Sequence, residues 1–114
     1  MDAGGALADL MEISAQVEAV VVLDENGEIA CFAAPEPERA QKLAHAAREA
    51  LAAAEPVRRG ASVTQLEAST RAGTLFVVRN ASRTIAATTG AAPISGLVFH
   101  DLETCLRSLD GDAG

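Results

Sequence analysis

The sequence predicts a single α/β (α+β) domain in three layers. A five-stranded antiparallel sheet of order 2-1-5-4-3 carries a long alanine-rich helix on one face and the N- and C-terminal helices on the other. Three observations lead there. Apolar periodicities run in the order helix, two strands, helix, three strands, helix. Turn residues close neighbouring strands into one hairpin and one meander. Three of the five strands carry continuous apolar runs, at 19–23, 75–78 and, more weakly, 85–87, as strands buried on both faces do, whereas two are mixed and suit sheet edges.

Taken in order, residues 6–16 place Leu7, Leu10, Met11 and Ser14 at helical spacing with Asp9 and Glu12 opposite, an amphipathic helix. Strands at 19–23 and 28–33 flank Asp24-Glu25-Asn26-Gly27, where Asn-Gly supplies the positive φ angles of a tight hairpin. Pro35 and Pro37 end the pairing, and Glu36 and Glu38 suit the positive end of a new helix. That helix runs to about Glu55 through the helix-forming stretch 40–54 and is closed by Pro56 and Gly60. Strands follow at 62–69, 74–79 and 84–89, with turns at Arg71-Ala72-Gly73 and Asn80-Ala81-Ser82-Arg83. After Gly90 and Pro93, a last helix at 94–109 carries Ile94, Leu97, Val98, Leu102, Cys105, Leu106 and Leu109 on one face. Residues 1–5 and 110–114 read as disordered ends around one domain at 6–109.

The sheet order follows from two conditions. Hairpin neighbours stay paired, and the apolar strands 19–23, 75–78 and 85–87 take the middle. Strands 28–33 and 62–69 are then the edges.

A chain of 114 residues, 49% hydrophobic and 22% charged, has room for one core and reads as globular. Its formal charge of −7, with scattered basic residues, argues against nucleic acid as a partner. The longest apolar run is far too short to cross a bilayer, and the start MDAGGALADL lacks the pattern of a signal peptide. A cytoplasmic protein without a membrane partner is the expectation. Three Phe, no Tyr and no Trp leave few large side chains to line a ligand pocket.

An N-terminal helix, the hairpin AVVVLDENGEIAC, an alanine-rich helix, a meander ending TIAATTGAAPISG and a leucine-bearing last helix together resemble the Roadblock / dynein light-chain family, in its prokaryotic single-domain branch. The resemblance spans residues 7–109 and rests on the order and spacing of parts, none of them a catalytic motif. It implies a non-enzymatic protein-binding module. Its members form dimers by pairing third strands into a continuous sheet, with the long helices packed across the twofold. Prokaryotic members are associated with small Ras-like GTPases, some as GTPase-activating proteins. The gliding-motility branch suggests instead a regulator that reshapes the GTPase switch loops.

The residues allow such a homodimer. The edge at 63–69 has no proline to block pairing. Ala40, Ala44, Ala47, Leu51 and Ala54 form a low-relief stripe at coiled-coil-like spacing. The expected dimer interface is therefore Ala40, Ala44, Ala47 and Leu51 with Val63, Gln65, Leu66 and Glu67. Packing of the stripe onto its own sheet is an equal alternative. Arg39, Arg48, Arg58 and Arg59 are the foremost candidates for contact with a GTPase, with Arg71, Arg79 and Arg83 behind them.

Enzyme chemistry finds no constellation. There is no GxGxxG, no P-loop and no nucleophile elbow around Ser95, which suits a helix start. His45, near Glu49, and His100 lack companions at ligand spacing, and Cys31 and Cys105 read as reduced core fillers. Asp24 and Glu25 suit local turn hydrogen bonds better than a cation. No catalytic, cofactor-binding or metal residue is assigned. Two other readings stand beside the GTPase regulator: a small-molecule sensor of profilin-like or PAS-like fold, and a structural subunit of a motor or signalling assembly.

Overall fold

Val17–Leu23 forms the interior strand β1, in which every residue except Glu18 is buried, so both faces need cover. The structure, a computed structural model, describes residues 3–58 and 64–112. Helix α1 (Ala3–Ile13) precedes β1, and β2 (Ile29–Ala33), α2 (Pro37–Ala54), β3 (Gln65–Ser69), β4 (Thr74–Arg79), β5 (Thr84–Thr89) and α3 (Ser95–Asp112) follow. The strands form one antiparallel sheet in the order β2-β1-β5-β4-β3, as the burial argument requires. The edges are the two mixed strands, and β3 is exposed along most of its length.

Alternate residues feed two separate cores. Val20, Val22, Phe76, Val78, Ile85 and Ala87 point to Leu7 and Leu10 of α1 and to Val98, Leu102, Cys105 and Leu106 of α3. Ala19, Val21, Leu23, Val77 and Ala86 point the other way, to Leu43, Ala44, Ala47 and Leu51 of α2. The two layers differ in the size of what they bury. Alanines on both sides let α2 lie close to the sheet, whereas the α1/α3 layer is filled by larger groups, among them an edge-to-face pair of Phe76 and Phe99 with ring centroids 5.1 Å apart.

Several boundaries and turns differ from the sequence reading. Helix α1 starts at Ala3 and stops at Ile13, so part of the segment read as a disordered start is helical and residues 14–16 are not. Ala6 is buried there and extends the apolar face by a turn toward the N-terminus. Helix α3 likewise runs on to Asp112, into the expected tail. Helix α2 opens with extended Glu36 and Pro37 in its first turn and ends at Ala54. A 3₁₀ turn, Glu55–Arg58, then accommodates Pro56, because tightening to i→i+3 bonds needs no donor there. In the first hairpin only Gly27 takes positive φ, at +81°. Asn26 does not, because Asp24 Oδ1 accepts hydrogen bonds from the backbone N–H of Asn26 and Glu28 and holds the turn in a bulged form. Asn80 Oδ1 does the same for Ser82 and Arg83 in the last turn.

The apolar face expected of α3 was drawn two residues too wide. Val98, Leu102, Cys105, Leu106 and Leu109 are buried, but Ile94 and Leu97 are exposed. They lie before and on the first turn, turned away from the side on which their neighbour Val98 is fully buried.

Gly73 shows what the β3–β4 turn demands. A Cβ added there would overlap the carbonyl oxygen of Thr89 on the neighbouring strand, which is backbone and cannot step aside. Gly73→Ala is therefore expected to destabilise the subunit by roughly 2–4 kcal/mol, read as a lowered midpoint in urea unfolding with an unchanged slope.

Candidate protein-interaction surface

Strand β3 is the open end of the sheet, and its ladder fixes which groups are free. Leu66 pairs with Val77 and Ala68 with Leu75, while Thr64 accepts from the N–H of Arg79 and Thr70 donates to Gly73 O. Hydrogen-bonded pairs alternate in an antiparallel ladder, so the even positions bond inward. The N–H and C=O of Gln65, Glu67 and Ser69 face the open edge. Side chains alternate as well. Leu66 and Ala68 lie on the α2 side, and Gln65 and Glu67 lie on the α3 side. There the Gln65 amide donates to Glu103, and Glu67 Oε2 accepts from Ser95 Oγ at 2.7 Å. These contacts hold β3 against α3 and leave its outer backbone free.

On the other face, α2 covers β1, β5 and β2 and stops short of β3. A groove of about 480 Å³ remains between the helix flank and the outer strands, lined by Arg39, Lys42, Leu43 and Ala46 from the helix and by Ala68 and Leu75 from the sheet. Thr88 sits in this groove with a buried hydroxyl that has no hydrogen-bond partner among the described residues. The groove and the open edge are continuous, since Ala68 and Leu75 form one cross-strand pair belonging to both.

The alanine stripe has the second of its two expected roles. Ala40, Ala44 and Ala47 are fully buried and Leu51 nearly so, all within the chain's own subunit. Their methyl groups already fill the space between helix and sheet, so they are not a surface for a second copy. The flank that faces the groove lies roughly 100° further round the helix. Its residues are Arg39, Lys42 and Ala46, with half-exposed Ala50 one turn on. Sequence reasoning missed this flank because a helix rich in alanine has no single apolar stripe. The distinguishing signal was Leu43 and Leu51, large residues that mark the sheet side.

Of the other expected interface residues, Gln65 and Glu67 are exposed and Leu66 is half-buried, whereas Val63 lies outside the described residues. The candidate arginines do not come together. Arg39 pairs with Glu18 at 3.3 Å on the groove flank. Arg48, on the opposite flank of α2, donates through Nε to Gly27 O at 2.6 Å. The side chain of Arg58, and Arg59 as a whole, lie outside the described residues. Arg79 is tied to Glu55 at 2.6 Å.

Among the described residues the thiols lie in or against the core and the imidazoles on the surface. Burial holds the Cys105 thiol up at about 11, with Cys31 and Asp9 adding to the rise, and its Sγ donates to Ala6 O. Burial also raises Cys31, against the pull of Arg83. Both thiols therefore stay protonated and unreactive at neutral pH. His45 pairs with Glu49 at 3.1 Å on the solvent side of α2, and His100 is exposed. Among the described residues no group of three His, Cys, Asp or Glu side chains could hold a metal ion. No helix among them is long and apolar enough to cross a membrane. A groove of about 790 Å³ at the turn end of the sheet is lined by charges of both signs, including Asp24, Glu25, Arg48 and Glu55.

No protein-family model matches this sequence, and no curated protein matches it. Solved structures do. A Roadblock/LC7 domain from Streptomyces avermitilis superposes with a TM-score of 0.84 at 16% identity, covering 99% of this chain and 98% of that one. The gliding protein MglB from Thermus thermophilus gives 0.70 at 15% identity, covering 94% and 84%. Profilin II from Acanthamoeba castellanii gives 0.61 at 13%, covering 95% and 96%. The chain has the Roadblock/LC7 fold, in an arrangement of sheet and helices that profilin shares.

Proposed function

We propose that the chain is a non-enzymatic, homodimeric protein-binding module that regulates or scaffolds a small Ras-like GTPase. The observation that carries this reading is the pairing of an open strand edge with an uncovered helix flank on the same side of the molecule. A second copy related by a twofold through β3 at Glu67 would set Glu67 opposite its own counterpart and Gln65 opposite Ser69. It would also lay its α2 flank over Leu43, Ala46, Ala68 and Leu75, covering the orphaned hydroxyl of Thr88. Exposed strand edges are often blocked by proline or bulges, and β3 has neither. The GTPase enters through the likeness to MglB and the family resemblance of the sequence.

The dimer interface is accordingly assigned to Gln65, Leu66 and Glu67 of β3, with Lys42 and Ala46 of α2 in place of the buried alanines. Arg39, on the same flank, lines this surface. Hydrolysis of GTP by Ras-like GTPases encoded near this protein, measured with and without it, tests the functional half. A nucleotide-dependent complex with an altered hydrolysis rate is expected. Absence of both binding and rate change across these GTPases would contradict the reading, and binding indifferent to nucleotide would replace it with a structural subunit.

A further inference from the structure

The most exposed large apolar side chains lie away from the surface just described, on the helical layer at the opposite face of the sheet. Ile13, Ile94 and Leu97 are 71%, 65% and 48% exposed. Ile13 ends α1, while Ile94 and Leu97 stand at the start of α3. Gln16 joins the two ends, its Oε1 accepting from the backbone N–H of Ile94 at 2.6 Å. From this end a shallow groove runs between the antiparallel helices, with Ala6, Leu10 and Cys105 as its floor and Asp9, Ile13, Asp101 and Thr104 along its walls.

The charge around the groove has one sign. Helix α1 contributes Asp9 and Glu12 and no basic residue, and α3 places Asp101 on the side facing α1. The one arginine of α3, Arg107, lies on its other flank, where it lines a separate groove with Gln65, Val78 and Glu103. His100 is exposed to solvent. An apolar seam walled by carboxylates accepts an apolar ridge flanked by cations.

We infer that the α1/α3 seam is a docking site for a basic amphipathic helix of a partner protein, with its apolar residues against Ile13, Ile94 and Leu97 and its Lys or Arg side chains against Asp9, Glu12 and Asp101. A helix fits better than a strand, because the seam offers ridges and grooves but no free backbone edge. A second copy is disfavoured, since the same seam carries Asp9 and Asp101 and no basic residue to meet them. An anionic membrane is repelled by the same carboxylates.

The test uses the full chain, labelled for NMR, and an amphipathic model peptide of about 18 residues made of Leu and Lys. Two controls accompany it: the same pattern with Glu in place of Lys, and a scrambled Leu/Lys sequence of equal charge without an apolar face. The amphipathic Lys peptide is expected to shift the amides of α1 and of the first half of α3. Its affinity should fall at least about tenfold in Leu97→Glu and in Asp101→Lys. Glu49→Lys, an equal charge reversal on the solvent side of α2, should leave it unchanged. Leu97 is half exposed, so its substitution should keep the fold, checked by circular dichroism, and the assembly mass, checked by light scattering. Shifts confined to β3 or α2, equal binding of the scrambled peptide, indifference to Leu97→Glu, or recruitment to phosphatidylserine vesicles would each overturn the assignment. A change of assembly mass in Leu97→Glu would bear on the dimer reading instead.

Discussion

Glutamate at position 44 is expected to unfold the subunit, whereas glutamate at position 46 should leave it folded and make it monomeric. The two alanines are two residues apart on α2 and differ in what surrounds them. Ala44 is fully buried between helix and sheet in the apolar cluster that includes Ala19, Val21 and Val77. An unpaired charge there costs several kcal/mol, a large share of the about 5–15 kcal/mol that a domain has in total. Ala46 lies on the half-exposed flank above the groove, one turn from Lys42, where a glutamate has both water and an opposite charge in reach. Only when a second copy covers this flank does the carboxylate lose its water, which should weaken self-association by about 3 kcal/mol, or two orders of magnitude in Kd. Circular dichroism and light scattering on the two variants read both halves. Folded, dimeric Ala46→Glu would move the interface off this flank.

The second large effect is expected from a single proline on β3. The N–H of Glu67 points to the open edge and takes no part in the ladder with β4, so Glu67→Pro removes no internal backbone hydrogen bond. It does remove a donor from the centre of the proposed intersubunit ladder, twice across the twofold, and it puts a ring where the partner strand would lie. Loss of the dimer with a modest change in stability is the expected result. Leu66→Pro is the comparison. Its N–H bonds inward to β4, and it should lower stability by about 3 kcal/mol. If Glu67→Pro dimerises as the native chain does, β3 is not the contact.

The contrast between these positions shows where the sequence was legible. The sheet order could be read because β1, β4 and β5 are apolar on consecutive residues, and only a strand covered on both faces can afford that. The turn residues Asp24, Gly27, Gly73 and Asn80 were legible because each answers a local backbone demand. The helix face was not. With alanine at 40, 44, 46, 47, 50, 52, 53 and 54, volume and hydrophobicity barely vary around α2, and only Leu43 and Leu51 record which side meets the sheet. The exposure of Ile94 and Leu97 was hidden for the opposite reason. Their spacing extends the apolar face of α3, but Val98 beside them is the residue that is buried, and which side of a helix's first turn meets the core is a tertiary fact. Coupling between Arg48 and the Gly27 carbonyl, 21 residues away, is of the same kind.

Of the surface assigned to partners, the open edge was legible and the flank beside it was not. Both now bear on one claim, that this chain pairs with itself through β3. Multi-angle light scattering at micromolar concentration tests it most directly. The native chain should run at twice its 11.7 kDa mass, and Glu67→Pro at the single mass. A native chain at 11.7 kDa would contradict it.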